Sequence, residues 1–374
     1  MRIALFCHSL LSDYNHGGAH FLRGIVSELS ARGHEVLAYE PTDGWSMANL
    51  VKEQGTWPIS AMRQAYPAIR PVQYDPVRFD LARAVDGADV VIVHEWNDQS
   101  LVHALGKMRR GGAQFRLLFH DTHHRAVTEP EGIMPHDLAG YDGVLAFGQV
   151  LRDIYLERSL IQRAWVWHEA ADVRVFAPLG ERGLVTKRQV VYVGNWSDGE
   201  REHELFEFVA SPVADLRLSA TVHGVGYPER ARVELLRAGV HYAGYLPNFC
   251  VPQALARHHV SVHLPRRPYG RTLPGIPSVG LFEALACGIP VVSTRFDDSE
   301  NLFAPGRDFL AAQSKGEMKR HVALLVGDPR FARELAQHGR QTILKKHTCA
   351  HRVDELLEVF GELGIESEAT RRAS

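Results

Sequence analysis

The sequence predicts an α/β protein of two doubly wound domains facing a central cleft. Three observations predict it. Apolar runs of strand length alternate with amphipathic helical stretches along nearly the whole chain. The alternation breaks once, at the polar, glycine-containing residues 179–187, and then restarts. The length, 374 residues, exceeds one ordinary core and suits two.

The elements follow in order. Residues 3–7 are a short apolar run suited to a central parallel strand. After the loop HSLLSDYNHGG, a helix carries Phe21, Leu22, Ile25, Val26 and Leu29 on one stripe and ends at Gly33. Residues 35–39 complete a βαβ unit, which needs a parallel sheet. Strands are expected at 89–94, 116–120, 143–147 and 164–167, with helices at 99–109 and 150–158. Residues 44–67 read as a loop. The second half repeats the scheme, with strands at 189–193, 216–222, 240–242, 260–264 and 290–293. Its helices are expected at 202–209, 228–238 and 252–257, and one more starts at Val279. Three helices close the chain, near 315–326, 329–346 and 350–363. The expected division is 1–178, 179–346, and a terminal helix and tail, 347–374, that can pack back on the first domain.

Hydrophobic residues make up 45% and charged residues 23% of the chain, as in ordinary globular proteins. Lys and Arg number 42 against 44 Asp and Glu. That balance gives no general reason to expect nucleic acid or an anionic membrane as a partner. Cys7, Cys250, Cys287 and Cys349 are not in metal or redox spacing. They read as reduced thiols of a cytoplasmic protein. The N-terminal apolar run reads as a strand rather than a signal peptide, and no run reaches the length of a membrane helix.

In such folds ligands bind beyond the C-terminal ends of the strands. In GLFEALACGIPVVS, Ser278 is placed to cap a helix that leaves backbone N–H groups at residues 279–281, which together with the helix dipole favour a phosphate. Gly280 lets a ligand approach. Glu283, one turn further along, suits a ribose diol. In GNWSDGERE, Gly194 permits close approach, Asn195 follows it, and Arg201 suits a diphosphate. Gly17 and Gly18 form no dinucleotide fingerprint and are expected to admit a substrate to a helix start, near His94. HDTHHR offers His120 and Asp121 beside Glu95. Without a metal-ligand spacing they read as acid–base or hydroxyl-binding groups, and no metal is expected.

These stretches resemble the GT-B fold glycosyltransferases, particularly the family 4 type and the CgeB-like group. GGAHFLRGIVSELSARGHEVLAY is similar to the family's first loop, helix and second strand, and HEAADVRVFAP to its interdomain segment. VVYVGNWSDGERE resembles the phosphate loop, and HYAGYLPN, with Tyr245 and Leu246, the segment whose backbone reads the base. LFEALACGIPVVS is similar to the donor-site helix, and DPRFARELAQHGRQTILKKHTCAHRVDELL to the closing helices. The resemblance implies two Rossmann-like domains, an N-terminal one for the acceptor and a C-terminal one for the donor. It also implies transfer of a sugar from a nucleoside-diphosphate sugar, as co-substrate rather than cofactor, to a glycan, lipid carrier or small molecule. By resemblance His120 falls near a histidine that contacts the donor sugar. A family glutamate expected eight positions before Glu283 falls at Gly275. For the family's basic phosphate contacts Arg201 is the candidate for one, and Arg271, or Arg266 and Arg267, for the other. Peripheral membrane contact is compatible with this reading but not required by it. A nucleotide-sugar 2-epimerase of the same architecture and a non-catalytic nucleotide-binding protein are the alternatives.

Overall fold

The structure, a computed structural model, describes residues 1–123, 138–180, 188–196, 201–268 and 273–365. Most of the segment 179–187, Arg271, and parts of the HDTHHR and GNWSDGERE loops lie outside the described residues.

The chain divides into two compact units, Met1–Glu169 with Cys349–Ser374, and Ala170–Thr348. Unit 1 holds a seven-stranded sheet in the order β3-β2-β1-β4-β5-β6-β7. Its strands are β1 (Arg2–Phe6), β2 (Glu35–Pro41), β3 (Val72–Tyr74), β4 (Val90–His94), β5 (Arg116–Asp121), β6 (Gly143–Ala146) and β7 (Ala164–Val166). Every pairing is parallel; Leu5, for example, sits between Ala38 and Ile92. All five residues of β4 are buried, as expected of a strand covered on both faces.

Unit 2 repeats the design with six parallel strands in the order β10-β9-β8-β11-β12-β13. They are β8 (Arg188–Val193), β9 (Ala220–His223), β10 (Val240–Gly244), β11 (His258–His263), β12 (Val291–Thr294) and β13 (Leu310–Ala312). The side-chain period of two sorts its core. Val190 and Tyr192 join one apolar cluster with Val260 and Val262. Val191 joins the other, with Phe282, Leu285 and Phe309. In both sheets the strand order reverses beside the first strand, between β1 and β4 and between β8 and β11, where a doubly wound sheet opens a crevice for ligands.

The observed boundary falls at 169/170 rather than 178/179, because Ala171 and Phe176 are buried in the core of unit 2. The last helix, Cys349–Glu362, belongs to unit 1. Trp167 Nε1 donates to Arg352 O (2.8 Å), and Arg32 donates to Ala350 O (3.0 Å) from the end of the helix Gly18–Ala31.

Three local expectations change. Residues 44–67 form two helices, Trp45–Gln54 and Trp57–Ala65, rather than a loop. The strand expected from residue 216 starts at Ala220, because a helix runs on to Leu216 and Arg217 turns left-handed at φ 55°. The helix expected at 202–209 carries a π-turn over Phe206–Ala210. Among the described residues no helix is long and apolar enough to cross a membrane.

Candidate functional site

Each unit carries its own set of candidate side chains at the C-terminal edge of its sheet. In unit 1 the loop after β1 is held from beneath. Glu40, at the end of β2, accepts from the N–H groups of Leu10 (2.7 Å) and Leu11 (3.2 Å) and from Ser9 Oγ (3.2 Å). Burial raises its pKa, and those hydrogen bonds oppose the rise. Arg23, fully buried, pairs with Asp13 at 2.8 Å and donates to Leu10 O (2.7 Å). A buried ion pair of this kind holds geometry more than it adds net stability.

On that support lies a run of imidazoles. Ring centroids are 5.1 Å apart for His8 and His16, 6.1 Å for His16 and His94, and 5.1 Å for His94 and His120. Burial pushes His8 down to about 4 and His120 to about 3, and sets His16 and His94 well below the ordinary value. All four are therefore neutral at pH 7. His94 Nδ1 accepts from Trp96 N–H (3.3 Å), so the ring proton sits on Nε2, 3.3 Å from Thr122 Oγ1. Thr122 Oγ1 in turn donates to Glu95 Oε1 (3.1 Å). Asp121 accepts from Tyr155 OH (2.7 Å) and from His123 N–H (2.9 Å). His120 is fully buried among Phe21, His94 and Trp167, and neither ring nitrogen has a hydrogen-bond partner among the described residues. An aromatic rim tops the run: Trp45 stacks on His8 at 4.7 Å and lies 6.2 Å from Trp96.

Of the two glycines, Gly18 differs from the sequence expectation. A Cβ at Gly18 would fall 3.0 Å from His94 Nε2, so that space belongs to the imidazole and not to a substrate. Gly17 has nothing within 4 Å.

In unit 2 the candidate donor residues converge beside the helix Val279–Ala286. Ser278 occupies the N-cap position, yet its side chain makes no capping bond. Its hydroxyl lies 2.7 Å from His263 Nε2, while His263 Nδ1 lies 2.9 Å from Ser293 Oγ. Ser293 Oγ donates to Thr294 O (2.8 Å) and therefore accepts from His263. Burial, then the Arg201 charge, push His263 down to about 3, so the ring is neutral and accepts from Ser278. Leu281 N–H bonds Ser278 O (3.0 Å), which removes it from the expected set of free donors. The N–H groups of Val279 and Gly280 are left without a side-chain cap. A Cβ on Gly280 would meet nothing within 4 Å.

Glu283 is only 5% exposed. Asn248, itself buried, donates to its Oε1 at 3.0 Å and ties the helix to the segment after Tyr245 and Leu246. Arg201 donates to Asn195 O (3.4 Å), and its Nε is buried with no partner among the described residues. Two glycines serve the chain itself. A Cβ at Gly194 would overlap the Tyr192 phenol, and Asn195 Oδ1 accepts from Val225 N–H (3.0 Å), so both residues brace the loop after β8. Gly275 is left-handed at φ +84°, and a Cβ there would fall 2.6 Å from Glu300 Oε1. Among the described residues no three or more His, Cys, Asp or Glu side chains are grouped to hold a metal ion.

Sequence reasoning missed Asn248, His263 and Glu300. Asn248 sat unremarked in the GYLPN segment; the other two act across long sequence separations that carry no local signal.

Residues 201–358 match the model of a family described as glycosyl transferase-like. Sucrose-phosphate synthase from Thermosynechococcus elongatus superposes with a TM-score of 0.67 at 16% identity, over 98% of this chain and 100% of that one. HepE from Anabaena, in complex with UDP and glucose, gives 0.66 at 16% identity over 96% and 99%. An α-glucosyltransferase in complex with UDP and a DNA 13-mer gives 0.73 at 11% identity, also over 96% and 99%. No curated protein matches the sequence. The fold is that of the GT-B glycosyltransferases. Residues 201–358, the stretch that carries the donor-edge candidates after Asn195, are similar to that glycosyl transferase-like family.

Proposed function

We propose that the protein transfers a sugar from a nucleoside-diphosphate sugar, held by unit 2, to a hydroxyl of an acceptor held by unit 1, with no metal ion required. The observation that carries this reading is Glu283, a carboxylate 5% exposed one turn inside a helix whose start is open and uncapped. Burying a carboxylate requires hydrogen-bond donors around it, and Asn248 supplies one and fixes its direction. Its position suits the ribose hydroxyls while the Val279 and Gly280 N–H groups take the diphosphate. Tyr245 and Leu246 flank the base. As the glycosidic bond breaks, negative charge grows on the diphosphate, and the helix start and Arg201 are placed to stabilise it. The known complexes of HepE and the α-glucosyltransferase with UDP make uridine the first base to test.

On the acceptor side, Glu95, which accepts from Thr122 Oγ1, is a carboxylate that can take the proton leaving a hydroxyl, while His94, with both ring nitrogens engaged, orients Thr122. Asp121 is the second carboxylate at this edge. A neutral, polar floor under an aromatic rim suits a hydroxyl-rich acceptor, a glycan or glycoside, better than a charged one.

The test is thermal stabilisation by UDP, GDP, ADP and dTDP and their sugar conjugates, with and without EDTA. A rise with one base family that EDTA does not alter is expected. In Glu283→Ala the affinity for that nucleotide should fall about tenfold or more. An unchanged affinity would remove the ribose assignment, and no shift with any nucleotide would remove the donor site.

A further inference from the structure

A cavity of about 620 Å³ in unit 2 lies at the end of the sheet opposite the donor edge. It opens where β11 and β12 begin, beside His258 and Pro290, away from Gly194 and Ser278. Leu255, Ile289 and Leu325 form apolar walls. Ala332, Ala336 and Arg340 add one face of the helix Pro329–Lys346, at four-residue spacing. No aspartate or glutamate lines the cavity.

Its charges are two guanidiniums, Arg333 and Arg340, and no ion pair engages either among the described residues. Arg340 Nε is buried without a hydrogen-bond partner among those residues. The ring nitrogens of His258 are already taken by Ala254 O (2.8 Å) and Thr221 Oγ1 (3.0 Å), so they do not answer it. A buried donor with no acceptor costs free energy until something accepts from it. Water satisfies such a group only where further polar partners surround it, and these walls are mostly apolar. An anion carried on an apolar body meets both demands, and the volume lies within the range of small-molecule sites.

We infer that this cavity binds a single-chain amphipathic carboxylate, a free fatty acid, with its chain along Leu255, Ile289 and Leu325 and its head on Arg340 and Arg333. The site is separate from the donor edge, so the inference stands or falls without the transferase reading.

The test is isothermal titration of the full chain with laurate below its micelle concentration. One laurate per chain is expected. Arg340→Gln should weaken binding about tenfold or more. Ala336→Phe, which fills the cavity, should abolish binding. Dodecanol, with the same chain and no charge, should bind at least about tenfold more weakly than laurate. Melting curves of both variants establish that they fold. Absence of laurate binding, or binding indifferent to both substitutions, overturns the inference. So does sedimentation with anionic phosphatidylglycerol vesicles in the absence of laurate binding, which would assign the arginines to a membrane surface instead.

Discussion

The two sheets share one strand order, yet their crevice edges are finished in opposite ways. In unit 1 the charged groups are answered: Glu40 holds Leu10 and Leu11, Arg23 holds Asp13, and Thr122 links His94 to Glu95; neutral imidazole nitrogens, on His16 and His120, are left over among the described residues. What faces outward is indole, above imidazoles that are themselves buried. In unit 2 donors are left over: the N–H groups of an uncapped helix start and the Nε of Arg201. The same topology therefore provides one edge suited to hydroxyls and one suited to an anion. The difference lies in loops and helix starts, not in the sheets.

The largest effect that sharpens this contrast is expected at Gly275. A glutamate there must adopt φ +84° and displace the Glu300 carboxylate. Gly275→Glu should cost about 1–3 kcal/mol and lower the melting temperature by several degrees. Adding Glu300→Ala should recover part of the loss, because it removes the overlap but not the backbone strain. A Gly275→Glu protein that melts like the wild type would show that the position tolerates a side chain.

Next comes pH. His8 at about 4 and His120 at about 3 lie below the ordinary 6.5. The unfolded chain therefore binds protons first as pH falls, so these groups contribute stability above pH 6.5 that is lost on going toward pH 4. The slope is at most about 1.4 kcal/mol per pH unit for each imidazole. His263 in unit 2 acts with the same sign. His120→Phe should fold at pH 7, since neither nitrogen is bonded, and should melt with a shallower dependence between pH 6.5 and 5. An unaltered slope in that variant would mean that His120 is not held neutral in the folded protein.

The smallest effects separate the neighbouring glycines. Gly18→Ala meets His94 Nε2 at 3.0 Å and should cost about 1 kcal/mol, whereas Gly17→Ala meets nothing within 4 Å and should stay within about 0.5 kcal/mol. Equal melting temperatures would break the account of Gly18 as room made for an imidazole.

Most of the sheet was legible because parallel strands buried on both faces are continuous apolar runs, as in VVIVH and VVST. The short edge strands β3 and β13 have only three residues each and escaped notice. Residues 44–67 were misread because glycine, proline and tryptophan punctuate them like a loop. Pro58 in fact sits in the first turn of its helix, where its missing N–H costs nothing. Glu283 was legible as a carboxylate inside an apolar helix. The roles of Gly194 and Gly18 were not, because sequence shows that room is made without showing whether ligand or side chain fills it. Ser278 was legible as the first residue of a helix start, but its hydroxyl partner, His263, lies in another strand.

That partner has a consequence for the direction of recognition. With its proton committed to His263, Ser278 Oγ presents only lone pairs to anything that approaches it. It will turn away a bare phosphate oxygen and welcome an O–H. At the mouth of the helix, one side of a ligand is thus sorted by whether it gives a hydrogen or lacks one, and the ligand must be oriented accordingly.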